Sequence, residues 1–81
     1  MYTEVEFGKE LKQKVLDKAP VSEIGDWAYS VYLNNIQSIS LDFRRILLTL
    51  NTMEDGPEFA YTHEELKQIA DDLISGKKVE L

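Results

Sequence analysis

The chain has 81 residues, 43% of them hydrophobic and 30% charged, with a formal net charge of -6 and no cysteine. That length makes one domain, and the composition is that of a soluble globular chain rather than a disordered one. Without cysteine there is no disulfide framework, no thiolate nucleophile and no cysteine-ligated zinc, and the acidic balance disfavours nucleic acid, whose phosphates are bound by Lys and Arg.

The first helix is predicted over 4–18. Thr3 as N-cap and Glu6 three residues on form a capping box, and Tyr2 can staple onto Phe7. Phe7, Leu11 and Val15 recur at a spacing of four and make one apolar stripe, with Lys9, Lys12, Lys14 and Lys18 on the polar side. Ala19-Pro20 ends the helix, because the residue before proline is pushed out of the helical region.

A second helix is predicted over 23–35, with Ser22 as its N-cap. Ile24, Trp27, Ala28 and Val31 form its main face, while Tyr29, Leu33 and Ile36 fall on roughly the opposite side. Apolar residues therefore run most of the way round it. The third helix, predicted over 40–53, is capped by Ser38 or Ser40. Phe43, Ile46, Leu47, Leu50 and Met53 make a broad stripe, and Leu41 and Leu48 lie elsewhere, beside Arg44 and Arg45. Glu54-Asp55-Gly56-Pro57 is a turn signal that stops it.

The last helix is predicted over 63–75. Thr62 and Glu65 make a second capping box, Tyr61 and Leu66 can form its staple, and Leu66, Ile69, Ala70, Leu73 and Ile74 repeat at helical spacing. Gly76 suits the left-handed position just past the end, followed by Lys77-Lys78 at the negative end of the helix dipole. No segment alternates at period two for long enough to be a strand. The expected fold is all-α, a compact four-helix bundle forming a single domain over 1–81. No apolar run approaches the about 20 residues that a membrane span needs, and the N-terminus lacks the basic and apolar regions of a secretory signal. A cytoplasmic protein without membrane contact is expected.

The net charge is not spread evenly. From Glu54 to Asp72 there are seven acids (Glu54, Asp55, Glu58, Glu64, Glu65, Asp71, Asp72) against one base, Lys67. The rest of the chain balances. Clustered charge steers partners of opposite sign and repels its own.

Enzymatic constellations are absent from the sequence. His63, the one histidine, is followed by Leu66 and Lys67 at i+3 and i+4, where a helical metal site needs ligands. The carboxylates read as a solvated acidic face rather than a glycosidase-type pair, which needs fixed separation in a cleft and one raised pKa. Asp55-Gly56-Pro57-Glu58 lacks the alternating oxygen ligands of a calcium loop, and no serine elbow or glycine-rich phosphate loop occurs. No catalytic residue, metal or cofactor is expected. Tyr29, Leu33, Leu41 and Leu48 pose the remaining question. Either the first and last helices cover both sides of the middle hairpin, or these residues form an exposed apolar patch with the composition of an interface centre.

Asp26-Trp27-Ala28 after a serine at the helix start, the leucine-rich third helix, and the run from Gly56 to Leu66 resemble small acidic helical proteins widespread in bacteria, some of them immunity-like. The resemblance covers about residues 20 to 76. The colicin-nuclease immunity proteins are similar in size, charge and four-helix architecture; this chain lacks their Tyr-Tyr-Pro motif, so none of their binding residues is carried over. The resemblance implies a small bacterial protein that inhibits a partner. The residues themselves lead to a non-enzymatic protein-binding module for a basic protein. Acids at Glu54, Asp55, Glu58, Glu64, Asp71 and Asp72 would steer the partner, and Tyr29, Phe59 or Tyr61 would supply anchors. The alternatives are a self-associating helical domain that forms a homodimer through Leu41 and Leu48, and a small metal-dependent enzyme built on His63.

Overall fold

A computed structural model describes residues 2–79 and 81, with Pro57 as backbone only. Four α-helices follow one another: α1 (Glu4–Leu16), α2 (Val21–Asn35), α3 (Leu41–Asn51) and α4 (His63–Ile74). Between α3 and α4 the chain makes two short 3₁₀ turns, Thr52–Glu54 and Pro57–Phe59. There is no strand among the described residues, and the protein is an all-α four-helix bundle. None of the described helices is long and apolar enough to cross a membrane.

The helix starts follow the capping chemistry. Thr3 Oγ1 accepts the Glu6 N–H at 3.1 Å and Ser40 Oγ accepts the Phe43 N–H at 3.1 Å. In α4 the box is complete: Thr62 Oγ1 accepts the Glu65 N–H (3.1 Å) while Glu65 Oε1 accepts the Thr62 N–H (3.0 Å). α2 differs from the expectation. It begins at Val21, with Pro20 as an N-cap that offers no side-chain bond, and Ser22 lies inside its first turn. Proline suits a helix start because its missing N–H is one that the helix would leave unpaired anyway.

The two ends that carry Schellman bonds share one geometry with different residues. After α4, Gly76 is left-handed (φ 77°), its N–H bonded to Leu73 O and the Lys77 N–H to Asp72 O. After α1 the same pair of bonds runs from Lys18 to Val15 O and from Ala19 to Lys14 O, and here it is Lys18 that sits at φ 58°. α1 therefore stops at Leu16, two residues before the predicted end and ahead of the proline. α3 likewise gives way to a 3₁₀ turn at Thr52, tightening its last turn.

The helices pack as two antiparallel pairs, α1 with α4 and α2 with α3. Each pairing brings a glycine against the opposite backbone. A Cβ on Gly8 would lie 2.9 Å from Ala70 O, and one on Gly25 would lie 3.3 Å from Leu50 O. Phe7, Leu11, Ile24, Leu47, Leu50, Leu66 and Leu73 are fully buried where the pairs meet, each contributing about 1.5–3 kcal/mol. An aromatic group ties α1 to the α2–α3 hairpin. The Phe7 ring stacks on Trp27 (centroids 4.7 Å apart) and meets Phe43 edge-on, while Tyr2 stacks on Phe43 (6.2 Å). Lys14 Nζ lies 4.9 Å from the centre of the Trp27 ring, a cation–π contact.

Candidate partner-binding face

The acidic segment begins where α3 unwinds. Gly56-Pro57 forces a second turn before Thr62 can cap α4, so Asp55, Glu58 and Phe59 come out on a short connection that buries little. Asp55, Glu58 and Glu64 are exposed, and the Phe59 ring is 50% exposed. The Glu58 carboxylate folds back to within 3 Å of the point where a Cβ on Gly56 would stand. Glycine there leaves room for it. Tyr61 is half-buried against the core, with less of its ring to offer than Phe59.

Other acids of the segment are engaged within the chain. Asp71 Oδ1 accepts from Lys12 Nζ at 2.8 Å across the α1–α4 seam. That hydrogen bond outweighs the opposing effect of burial and, with the charges of Lys12 and Lys67, holds the Asp71 carboxyl below its usual range. Asp72 accepts from the Gln68 amide at 2.9 Å. Glu65 is committed to the capping box. Charge free to meet a partner is thereby concentrated toward the 3₁₀ turns and the start of α4.

Glu54 stands apart. Its carboxyl meets that of Asp26 from α2, and this hydrogen bond, followed by burial and the charges of Asp26 and Asp55, pushes Glu54 above its ordinary value. With its amide oriented to satisfy both neighbours, Asn51 donates to Glu54 Oε2 (2.9 Å) and Gly25 O (3.3 Å). No local signal in the sequence pairs Asp26 with a residue 28 positions later. Tyr29 lies one turn beyond Asp26 on α2, 41% exposed and stacked on Tyr32 (6.0 Å). It belongs to the α2–α3 hairpin rather than to the loop that carries Phe59.

His63 Nε2 bonds to Ala19 O at 2.8 Å. A carbonyl can only accept, so this nitrogen carries the proton and fastens the start of α4 to the α1–α2 connection. Among the described residues no group of three or more His, Cys, Asp or Glu is placed to hold a metal ion. A cleft of about 290 Å³ between α3 and the C-terminal tail is lined by Asp42, Arg45, Ile46, Lys78, Val79 and Leu81.

Compared with protein-family models, curated proteins and solved structures, the chain matches none.

Proposed function

We propose that this protein is a non-enzymatic binding module, an immunity-like inhibitor of a basic protein, which it engages with the loop around Phe59. The observation that carries the reading is a large aromatic ring, half exposed at a turn and flanked in sequence by the exposed acids Asp55, Glu58 and Glu64. An aromatic anchor with a charged surround is the arrangement in which a few residues hold most of an interface. The acids accelerate encounter with a basic partner, and the ring slows its departure. Asp71 and Asp72, tied to Lys12 and Gln68, add to the field without serving as direct contacts. The absence of cysteine suits a reducing compartment, consistent with action in the cytoplasm.

The test is a low-salt pull-down from the native host, followed by binding kinetics on the basic protein captured. Replacing Asp55, Glu58 and Glu64 by lysine should slow association about 10- to 100-fold at low salt. Phe59→Ala should leave the association rate within a few-fold and raise the dissociation rate about tenfold or more. Unchanged association kinetics in the triple variant would remove this loop from the interface.

A further inference from the structure

Two connections emerge at one end of the bundle, and the fold fastens them together. His63 Nε2 bonds to Ala19 O, joining the start of α4 to the α1–α2 connection. On the other side Glu54 lies over Gly25, whose carbonyl accepts from Asn51, so the 3₁₀ turns sit against the first half of α2. The chain from Leu16 to Asp26 and the chain from Thr52 to Glu65 therefore border one surface. Leu16 belongs to it as well. It continues the α1 stripe of Gly8 and Lys12, which meet α4 at Ala70 and Asp71, and so arrives beside the first turn of α4. Its side chain is 59% exposed.

Charge at this end is almost all of one sign. Residues 16–26 carry Asp17, Glu23 and Asp26 against Lys18, and residues 52–65 carry five acids and no lysine or arginine. Every one of these acids is exposed. Asp17 accepts from the Gln13 amide at 3.0 Å and Glu65 from the Thr62 N–H, bonds that fix the carboxylates without cancelling their charge. The opposite end, residues 2–6, 33–45 and 74–79, carries four bases against three acids. Along the chain the acids of 16–26 are offset by the α1 lysines. In space Lys12 turns to Asp71 and Lys14 to Trp27. The molecule spans only 30 × 24 × 21 Å, so at about 0.01 M salt, where the Debye length is about 30 Å, both connections act together on an approaching charge.

We propose that the partner surface is this whole end of the bundle. A basic protein docks end-on, contacting Glu23 and Leu16 on the α1–α2 side as well as the Phe59 loop. The inference rests on the reading of the protein as a binding module for a basic protein, and it adds a second segment of chain to the contact. Charge complementarity names the occupant: a protein surface rich in lysine and arginine, with apolar recesses for Leu16 and Phe59, the two large exposed hydrophobics at this end. Nucleic acid and anionic membranes are repelled by the same field. Leu33 and Leu41, at the opposite end, take no part.

The probe is a lysine-rich peptide carrying two leucines, titrated into isotope-labelled protein at about 0.01 M salt and followed by amide and methyl shifts. Amide shifts should appear together in 16–24 and 54–64, with the Leu16 methyls moving and those of Leu33 and Leu41 still. Asp17→Asn with Glu23→Gln should weaken binding about three- to tenfold, as much as Asp55→Asn with Glu58→Gln, since each pair removes two exposed charges. Leu16→Ala should weaken it about threefold and leave the salt dependence unchanged. Circular dichroism should stay native in every variant. Shifts confined to 54–64, with the Asp17 and Glu23 variant binding like the wild type, overturn the inference and leave the Phe59 loop as the whole contact. Shifts at Leu33 and Leu41 instead, or at neither connection, overturn it together with the reading on which it rests.

Discussion

The two glycines at the helix seams should respond to different degrees to one substitution. Alanine at either position returns about 1 kcal/mol of helix propensity. At Gly8 the new methyl would stand 2.9 Å from Ala70 O, 3.0 Å from Leu73 Cβ and 3.1 Å from Ile74 Cγ1. The first of these atoms is backbone on α4, so relief requires α1 and α4 to move apart and loosen Phe7, Leu11 and Leu66 around them. Overpacking of this kind costs about 1–3 kcal/mol, so Gly8→Ala should lose about 1 kcal/mol net. At Gly25 the nearest atom is Glu54 Cγ at 3.1 Å, part of an exposed flexible side chain, and Leu50 O lies at 3.3 Å. A few tenths of an ångström suffice there, and Gly25→Ala should fall within about 0.5 kcal/mol of the wild type. In a domain this size about 1 kcal/mol moves the melting temperature about 4–8 °C. Thermal and urea unfolding at low protein concentration would separate the two variants clearly. Equal melting temperatures for Gly8→Ala and Gly25→Ala would refute the difference in seam geometry on which the reasoning rests.

Three further outcomes follow from the local structure. Lys18→Gly should stabilise the protein by about 0.5–1 kcal/mol, because it relieves a side chain from the left-handed region at a helix end that has Schellman bonds in place; Gly76→Ala should do the reverse, and urea midpoints read both. Thr62→Ala breaks the reciprocal capping box and should cost about 1 kcal/mol, measured the same way. The pH dependence of unfolding should contain two opposed contributions. Asp71, held below its usual range by Lys12, adds stability above the unfolded-state value that fades as pH falls through its folded value, so Lys12→Met should flatten the acid side of the profile. Glu54, raised by Asp26, binds its proton more tightly when folded, favouring the fold at low pH and losing that contribution as pH rises through its folded value; Asp26→Asn should therefore raise stability at neutral pH and leave it unchanged in strong acid.

The candidate site was legible in part. The acids and Phe59 stand out by composition alone, and the Gly56-Pro57 turn explains why Phe59 is brought to the surface. Tyr61 reads as an equal candidate in sequence, yet it is half-buried against the core. Asp71 and Asp72 read as a free acidic pair, but Lys12 on a helix distant in sequence has claimed Asp71. Of the two arrangements open for the middle hairpin, the structure has Tyr29, Leu33, Leu41 and Leu48 exposed. Helical periodicity identifies a second apolar stripe; it does not say whether a neighbour covers it.

What the sequence by itself determined is most of what acts within about one turn of helix, the start of α2 at Pro20 rather than Ser22 and the early end of α1 at Lys18 excepted. Thr3, Ser40 and Thr62 cap because their hydroxyls reach N–H groups three residues away, and Gly76 ends α4 because it enters the left-handed region without cost. Apolar spacing then chose the faces of α1, α3 and α4. Tertiary structure decided which helices pair, through the close approaches at Gly8 and Gly25, and with that it decided the partners of charged groups far apart in the chain. Lys12 with Asp71 and Asp26 with Glu54 are products of that pairing, because a Coulomb or hydrogen-bond interaction depends on distance in space, which spacing along the chain encodes only inside a single helix.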